Sequence, residues 1–338
     1  MRYFISLILL FILSVSGLSA QSIQLLQKGK DTSLRGLSVV DDSVVWVSGS
    51  KGWTAVSKDG GKNWDWKQIK GYESLDFRDI EGLSESKAIM VSAGTPAVIL
   101  LTIDGGQSWK EVYRNESKDI FLDGMDFWDA DRGIIYGDPI KGQMVLLETK
   151  DGGMNWQNIS AQNKIPLING EASFAASGTN IRTGNGGKVW IATGGLQSRI
   201  FRSNDYGLNW EATQLPIIQG KNSAGPFSIA FYKNKAGVAA GGDFHSDTSR
   251  LNNLVMTKNG GRTWEKPQLT LFGYRSAIEY LSKNELIATG PKGTDLSADG
   301  GKTWMKLSDQ GFHTVRKAKS GDLVLLTGGN GRIAIYQK

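Results

Sequence analysis

The sequence predicts an all-β protein: a seven-bladed β-propeller of four-stranded antiparallel blades, its ring closed by an N-terminal strand that joins the C-terminal blade. Three observations predict it. One octapeptide recurs six times at blade-like spacing, and an apolar strand ending in small residues recurs seven times. The composition, Gly 43 against Pro 7 with 11 Trp in 338 residues, suits many tight turns and large packing residues rather than a helix bundle.

The N-terminus stands apart from the repeats. Met1-Arg2-Tyr3 is a short positive start, Phe4 to Val15 is almost wholly apolar, and Ser16-Gly17-Leu18-Ser19-Ala20 is a run of small residues. That order is the one found in a secretory signal peptide, and the apolar run is short for a membrane span. Residues 1–20 are therefore expected to be removed after Ala20, leaving 21–338 as one propeller domain, exported to the periplasm or the extracellular space. An uncleaved anchor is the plainer alternative. No later segment is apolar enough to span a membrane.

The octapeptide reads Ser57-Lys-Asp-Gly-Gly-Lys-Asn-Trp64 at its first occurrence, and its copies start at Thr102, Thr149, Ser203, Thr257 and Ser297, at intervals of 45, 47, 54, 54 and 40 residues. The pattern is Ser/Thr-x-Asp-x-Gly-x-x-Trp. The acid is Asp59, Asp104, Asp151, Asp205 and Asp299, replaced once by Asn259, and Tyr206 replaces the first glycine once. A short carboxylate can accept the N–H groups of the turn that follows it, and the later glycine can supply a left-handed backbone. The tryptophan (Trp64, Trp109, Trp156, Trp210, Trp264, Trp304) begins the next strand and packs between sheets. With one carboxylate per copy, the motif is a hairpin staple and a poor calcium or catalytic site.

Upstream of each octapeptide an apolar strand ends in small residues, as at Val47-Ser48-Gly49, Ile135-Tyr136-Gly137 and Ala288-Thr289-Gly290. The seventh copy, Leu326-Thr327-Gly328, has no octapeptide after it; Gly331–Tyr336 reads as a third strand. Its fourth strand is expected from Ser22–Leu26, which would leave no open sheet edge.

Composition also excludes chemistry. There is no cysteine, so disulfides, thiolate catalysis and Cys-based metal sites are out, and two histidines, His245 and His313, cannot build a histidine-rich metal centre. The formal charge of +6 comes without a basic tract, which argues against nucleic acid. No cofactor and no metal are expected: Gly184–Gly187 and Gly328–Gly331 lie between strands, the wrong context for a dinucleotide loop.

The octapeptide is the Asp-box of bacterial neuraminidase-type repeats. The whole of 21–338, with six of them, resembles the photosystem II stability/assembly factor-like family of propellers, and most closely its exported bacterial branch, whose members often carry oxidoreductase or glycosyl hydrolase names. Segments such as Gly170–Ser177, Pro216–Lys221 and Gly273–Ser276 look like those members. The resemblance implies the fold and, in assembly factors, a propeller that binds a client membrane protein. It carries little about activity.

Propeller geometry narrows the search for a site. The octapeptides lie on one face; the starts of the innermost strands and the turns after the second strands lie on the other. Innermost starts are expected at Arg35, Arg78-Asp79, Asp123, Glu171, Phe227, Tyr274-Arg275 and His313. The second-strand turns add Asp138, Arg199, Asp243, His245 and Arg332, and the longest of them, Gly241 to Asn253, is the one segment able to form a lid. A convergent polar rim of this kind suits a ligand or partner; a merely solvated rim is the plain alternative, and for His245 an exposed loop histidine is the simpler reading. Trp128 is expected to be the one tryptophan with a chance of exposure. The leading functional expectation is a non-catalytic, monomeric binding or assembly module that holds a protein segment or polar ligand at this rim. The alternative is a sialidase-like glycoside hydrolase acting on exported glycans, with Glu171 and Asp243 as a carboxylate pair. No Arg-Ile-Pro segment and no Tyr–Glu pair supports a true sialidase. An oxidoreductase rests on family names alone.

Overall fold

The computed structural model describes residues 21–163 and 165–338; the leader expected over 1–20 lies outside them. Seven antiparallel sheets follow one another along the chain and form the blades of a seven-bladed propeller. Blade 1 runs outward from the channel through Leu34–Val39, Val45–Gly49, Trp53–Ser57 and Asp65–Gln68. The innermost strands of blades 2, 3, 5, 6 and 7 are Asp76–Gly82, Leu122–Phe127, Ala224–Tyr232, Ala277–Tyr280 and Thr314–Lys317. Blade 7 is completed by Ser22–Gln27, which pairs antiparallel with Ile333–Gln337 from Ser22 opposite Gln337 onward. In blade 5 the outermost strand shrinks to a single bridge between Met256 and Glu265, with both N–H···O bonds at 2.8 Å. Pro267, two residues on, has no N–H with which to extend the ladder.

The sequence alternation explains the packing. In Val45-Trp46-Val47, Trp46 faces blade 2 with Val44, Phe77 and Met90, while Val45 and Val47 face blade 7 with Leu325 and Ile333. Successive side chains of a strand point to opposite faces, so a sheet buried on both faces needs apolar residues in a continuous run. The described residues form seven apolar clusters, one for each pair of neighbouring blades, and the cluster between blades 7 and 1 includes Leu26 of the closing strand.

The octapeptide turns repeat one set of bonds. Ser57 accepts the Gly61 N–H at 2.8 Å and donates to Asp59, whose carboxylate accepts the N–H groups of Lys62 and Asn63. Gly61 sits at φ +89°. Hydrogen bonds from Asn63 hold Asp59, and those from Ser108 hold Asp104, at a pKa of about 2. Asp151, Asp205 and Asp299 accept in the same way, and Asn259 does so through its amide oxygen. Trp64, Trp210, Trp264 and Trp304 donate their indole N–H to the glycine carbonyl three residues back; Trp109 and Trp156 instead meet Trp46 and Phe127 edge-on.

The small residues that end the second strands have a different cause. A Cβ on Gly49 would lie 2.4 Å from the Ser33 carbonyl oxygen, and one on Gly137 would lie 2.2 Å from that of Phe121. At Gly49, Gly137, Gly241 and Gly290 the chain entering the innermost strand passes too close for a side chain, whereas Gly94 of blade 2 faces open space.

Candidate functional site

The site begins with a register irregularity. In blade 1, Leu34 faces Gly49 and Gly36 faces Ser48, so Arg35 is an extra, unpaired residue. The same bulge isolates Arg78 in blade 2, Asp123 in blade 3 and Phe227 in blade 5. In blades 6 and 7 the N–H groups of Ser276 and His313 bond to the carbonyls of Thr289 and Thr327, which Ala277 and Thr314 also face. A bulge bends the strand and re-aims a side chain. Repeated around a ring, it gathers one residue per blade at the end of the channel where the innermost strands start, here termed the entry mouth.

Blade 4 enlarges this bulge into a plug. Its innermost strand pairs at Glu171-Ala172, leaves the sheet, and resumes at Ile181–Gly184. Residues 173–180 cross the channel instead. Arg35 Nη1 of blade 1 donates to the Ala176 carbonyl at 2.9 Å, Arg78 Nη1 of blade 2 reaches that of Ala175 at 3.4 Å, and Asp138 of blade 3 accepts the Ser173 N–H at 3.0 Å. Thr179 bonds to Ser228 of blade 5, Ser177 to the Ser276 carbonyl of blade 6, and Arg316 of blade 7 donates to Gly178. The six other blades thus hold a segment that belongs to blade 4.

The plug divides the channel into two cavities. The entry mouth encloses about 460 Å³ between Arg35, Arg78, Asp138, Tyr274 and His313 on the polar side and Phe121, Phe174, Phe227, Phe244 and Pro291 on the apolar side. Phe174 of the plug stacks on Phe227 at 3.9 Å, and Phe227 meets Tyr274 edge-on at 4.7 Å. Burial, together with the charges of Arg35, Arg332 and Arg78, pushes the His313 pKa down to about 3, so the imidazole is neutral at pH 7. Burial pushes the Asp138 carboxyl and the Tyr274 hydroxyl up. Burial and the neighbouring Arg78 lower Arg35 from its usual value.

Of the fourteen rim positions expected from sequence, the structure brings six together here, Arg35, Arg78, Asp138, Phe227, Tyr274 and His313, while Asp123 is buried beside them, its carboxyl pushed up by burial. The others are placed elsewhere. Asp79 is buried in the channel wall, accepting the N–H groups of Ile80 and Met125, and burial raises its pKa well above the usual carboxylate range. Glu171 is buried in a two-point ion pair with Arg199 and also accepts from Thr193 and the Ile168 N–H. Asp243 is buried against Lys221 and the His245 N–H. Arg275 is fully buried in a bidentate pair with Asp295 at 2.8 Å. Arg332 packs over Phe312 and donates to the Gly329 and Gly311 carbonyls, while His245 is exposed beside Phe244. The segment after Asp243 is fastened to its neighbours by the Tyr274 N–H bond to Asp247 and by Asn253 bonds to Leu271 and Gly273, and contributes Phe244 to the wall. Trp128 is half-buried, bonded to the Lys188 carbonyl and packed on Tyr206.

Sequence reasoning found Phe227 and Tyr274 but missed Phe121, Phe174 and Pro291 of the mouth's apolar wall. Phe121 directly precedes an innermost strand, and Phe174 lies in a run of small residues, Ala172 to Gly178, that no paired strand needs. It also missed the opposite, exit mouth on the octapeptide face. There about 260 Å³ is lined by Glu81, Asp126, Arg182, Glu279, Arg316 and Lys319 among others. Arg182 pairs with Glu279 at 3.1 Å, Arg316 lies 3.9 Å from the same carboxylate, Lys319 pairs with Glu81, and Asp126 accepts the Thr183 N–H.

Fold and site define a propeller with a plugged channel whose entry mouth is cationic and aromatic. The sequence matches the family model described as photosynthesis system II assembly factor YCF48 over residues 18–118 and 65–213, and the chain belongs to that family. It is 26% identical over 261 residues to the photosystem II stability/assembly factor HCF136, chloroplastic, of Arabidopsis thaliana, covering 73% of this chain and 60% of that protein. The rice (Oryza sativa subsp. japonica) counterpart is 23% identical over 291 residues, covering 79% and 68%. Among solved structures, YCF48 bound to D1 peptide superposes with a TM-score of 0.68 at 17% identity, covering 95% of this chain and 98% of the other. A GH74 enzyme from Niastella koreensis reaches 0.62 at 16% identity, covering 93% and 53%. At such identity these structures speak for the fold alone.

Proposed function

We propose that this chain is a non-catalytic binding and assembly propeller that holds a segment of a client protein at the entry mouth. The observation that carries the reading is the unspent cation there. Arg35 makes no ion pair among the described residues and donates to a plug carbonyl, beside Arg78, a neutral imidazole and an aromatic wall. A guanidinium bonds a carboxylate more strongly than a neutral carbonyl. The mouth therefore suits a segment carrying a carboxylate next to an apolar side chain. Family membership supports the same reading, since a solved YCF48 is bound to a D1 peptide. The leader-like order of residues 1–20 supports export, and the ring closed by its own strand supports action as a monomer. No observation favours the hydrolase: Glu171 and Asp243 lie in different blades, each tied to a cation.

The test is a peptide array in which an acidic residue or free C-terminus is set beside Leu or Phe, probed with the protein and with Arg35→Glu. Binding confined to acid-plus-apolar peptides, weakened at least about tenfold by Arg35→Glu, is expected. Failure of every such peptide to bind, or binding indifferent to Arg35→Glu, defeats the proposal.

A further inference from the structure

The octapeptide face carries a second concave site, away from the channel. Between blades 4 and 5 a groove of about 540 Å³ is lined by Lys188, Arg202, Lys233, Lys235, Lys258 and Arg262, with three asparagines and no acid. Arg202 pairs with Glu211 and Lys258 with Glu265; the other four cations make no ion pair among the described residues. Arg202 is mostly buried, and its Nε has no acceptor. The corresponding groove between the turns of blades 1 and 2 is lined by Lys58 with Asp59, Asp65 and Asp104.

One substitution makes the difference sharper. Five of the six octapeptides carry an acid at their third position; of the two copies that contribute to this groove, the blade 4 copy lines it with Asn204 and the blade 5 copy, whose third position does line it, carries Asn259. The amide does the structural work unaided: its oxygen accepts the Thr263 N–H at 3.0 Å and its nitrogen donates to the Thr263 hydroxyl at 2.8 Å. The turn is kept and the one negative charge that would stand among the cations is gone.

We infer that this groove is an oxyanion site for a ligand bearing more than one phosphate group. Several cations converging with no acid among the lining residues suit a multiply charged anion, since each adds attraction and Lys188, Lys233, Lys235 and Arg262 need not first be freed from an ion pair. Arg202 and Arg262 supply forked donors, and the lysines supply point charges.

The experiment is calorimetric titration of the protein with sodium tripolyphosphate at low ionic strength, alongside three variants. Asn259→Asp restores the charge of the other five turns and is expected to keep the melting temperature while weakening binding about threefold to tenfold. Lys235→Glu combined with Arg262→Glu is expected to abolish binding. Lys62→Glu, on the exposed turn of blade 1, alters the net charge as a single reversal does and is expected to leave affinity unchanged. Absence of tripolyphosphate binding overturns the inference, as does a loss in Lys62→Glu equal to that in Asn259→Asp. Vesicles containing cardiolipin, a lipid whose headgroup carries a pair of phosphates, identify the source: binding competed by tripolyphosphate assigns the phosphates to lipid headgroups, and tripolyphosphate binding without vesicle binding assigns them to a soluble phosphate ester.

Discussion

The two mouths of one channel differ in how their charges are used. At the exit mouth each acid has a partner in place: Glu279 has Arg182 and Arg316, Glu81 has Lys319, and Asp126 has the Thr183 N–H. At the entry mouth Arg35 has no carboxylate partner among the described residues and donates to a plug carbonyl, Arg78 pairs with Asp76 at 2.8 Å and reaches a plug carbonyl at 3.4 Å, and His313 is held neutral among cations. The exit mouth is a clasp that holds blades together; the entry mouth keeps binding capacity in reserve. The difference arises from where each set of residues sits in its strand. Bulges aim single side chains into the entry, whereas the strand ends present regular alternation, so that acids and bases from neighbouring blades meet.

The largest expected effect comes from breaking the partition itself. Gly178 sits at φ +64°, and a Cβ there would lie 2.3–2.5 Å from the Asp79 carboxylate atoms. Gly178→Val is expected to cost about 3 kcal/mol, from backbone strain and a displaced buried carboxylate together. It should loosen the plug and so weaken segment binding as well. A chemical-denaturation midpoint within error of wild type would mean that the plug is not held as described.

A smaller effect separates the mouths. Glu279→Gln leaves the Arg182 and Arg316 guanidiniums facing one another without their carboxylate, at an expected cost of about 2 kcal/mol. Segment affinity at the entry mouth should stay within about twofold, because the plug stands between. A large loss of affinity in this variant, with the fold intact, would show that the mouths are coupled and that the contrast between clasp and reserve is false.

How much of this was legible follows from what each feature requires. The blades were readable because a packed sheet needs apolar runs and a tight turn needs its serine, carboxylate and glycine at fixed offsets, as in Ser57, Asp59 and Gly61. The closing strand was readable as well: the seventh blade lacked a fourth strand, and Ser22–Leu26 was the spare one. Arg35, Arg78 and His313 were found at the rim because each opens an innermost strand. Glu171 was expected beside them for the same reason, yet it opens a strand that leaves the sheet two residues later, and its carboxylate turns to Arg199. Nothing local marks the plug. Ser173 to Asn180 makes its bonds to six other blades, and such contacts have no spacing signature in the chain. The exit mouth was overlooked because its charges stand at strand ends, where sequence reads them as solvated.

The finest test uses the opposite titration of the two mouths. His313 has a folded pKa of about 3 against an unfolded value of 6.5, so folding favours the neutral ring. That contribution is complete above about pH 6.5 and is lost as pH falls toward 3. Glu279 has the opposite sign: burial, opposed by Arg182, raises its pKa above 4.5, so its contribution is complete below that value and fades as pH rises through the folded pKa. Unfolding free energies measured from pH 7 to 4 for wild type and His313→Gln should therefore diverge on acidification. The wild type should lose stability faster, by up to about 1.4 kcal/mol per pH unit. Parallel curves would mean that His313 is not held neutral. Adding a bound acidic segment should shrink the divergence, because a carboxylate beside the imidazole favours its charged form; the exit mouth, with its charges already matched, has no such response to give.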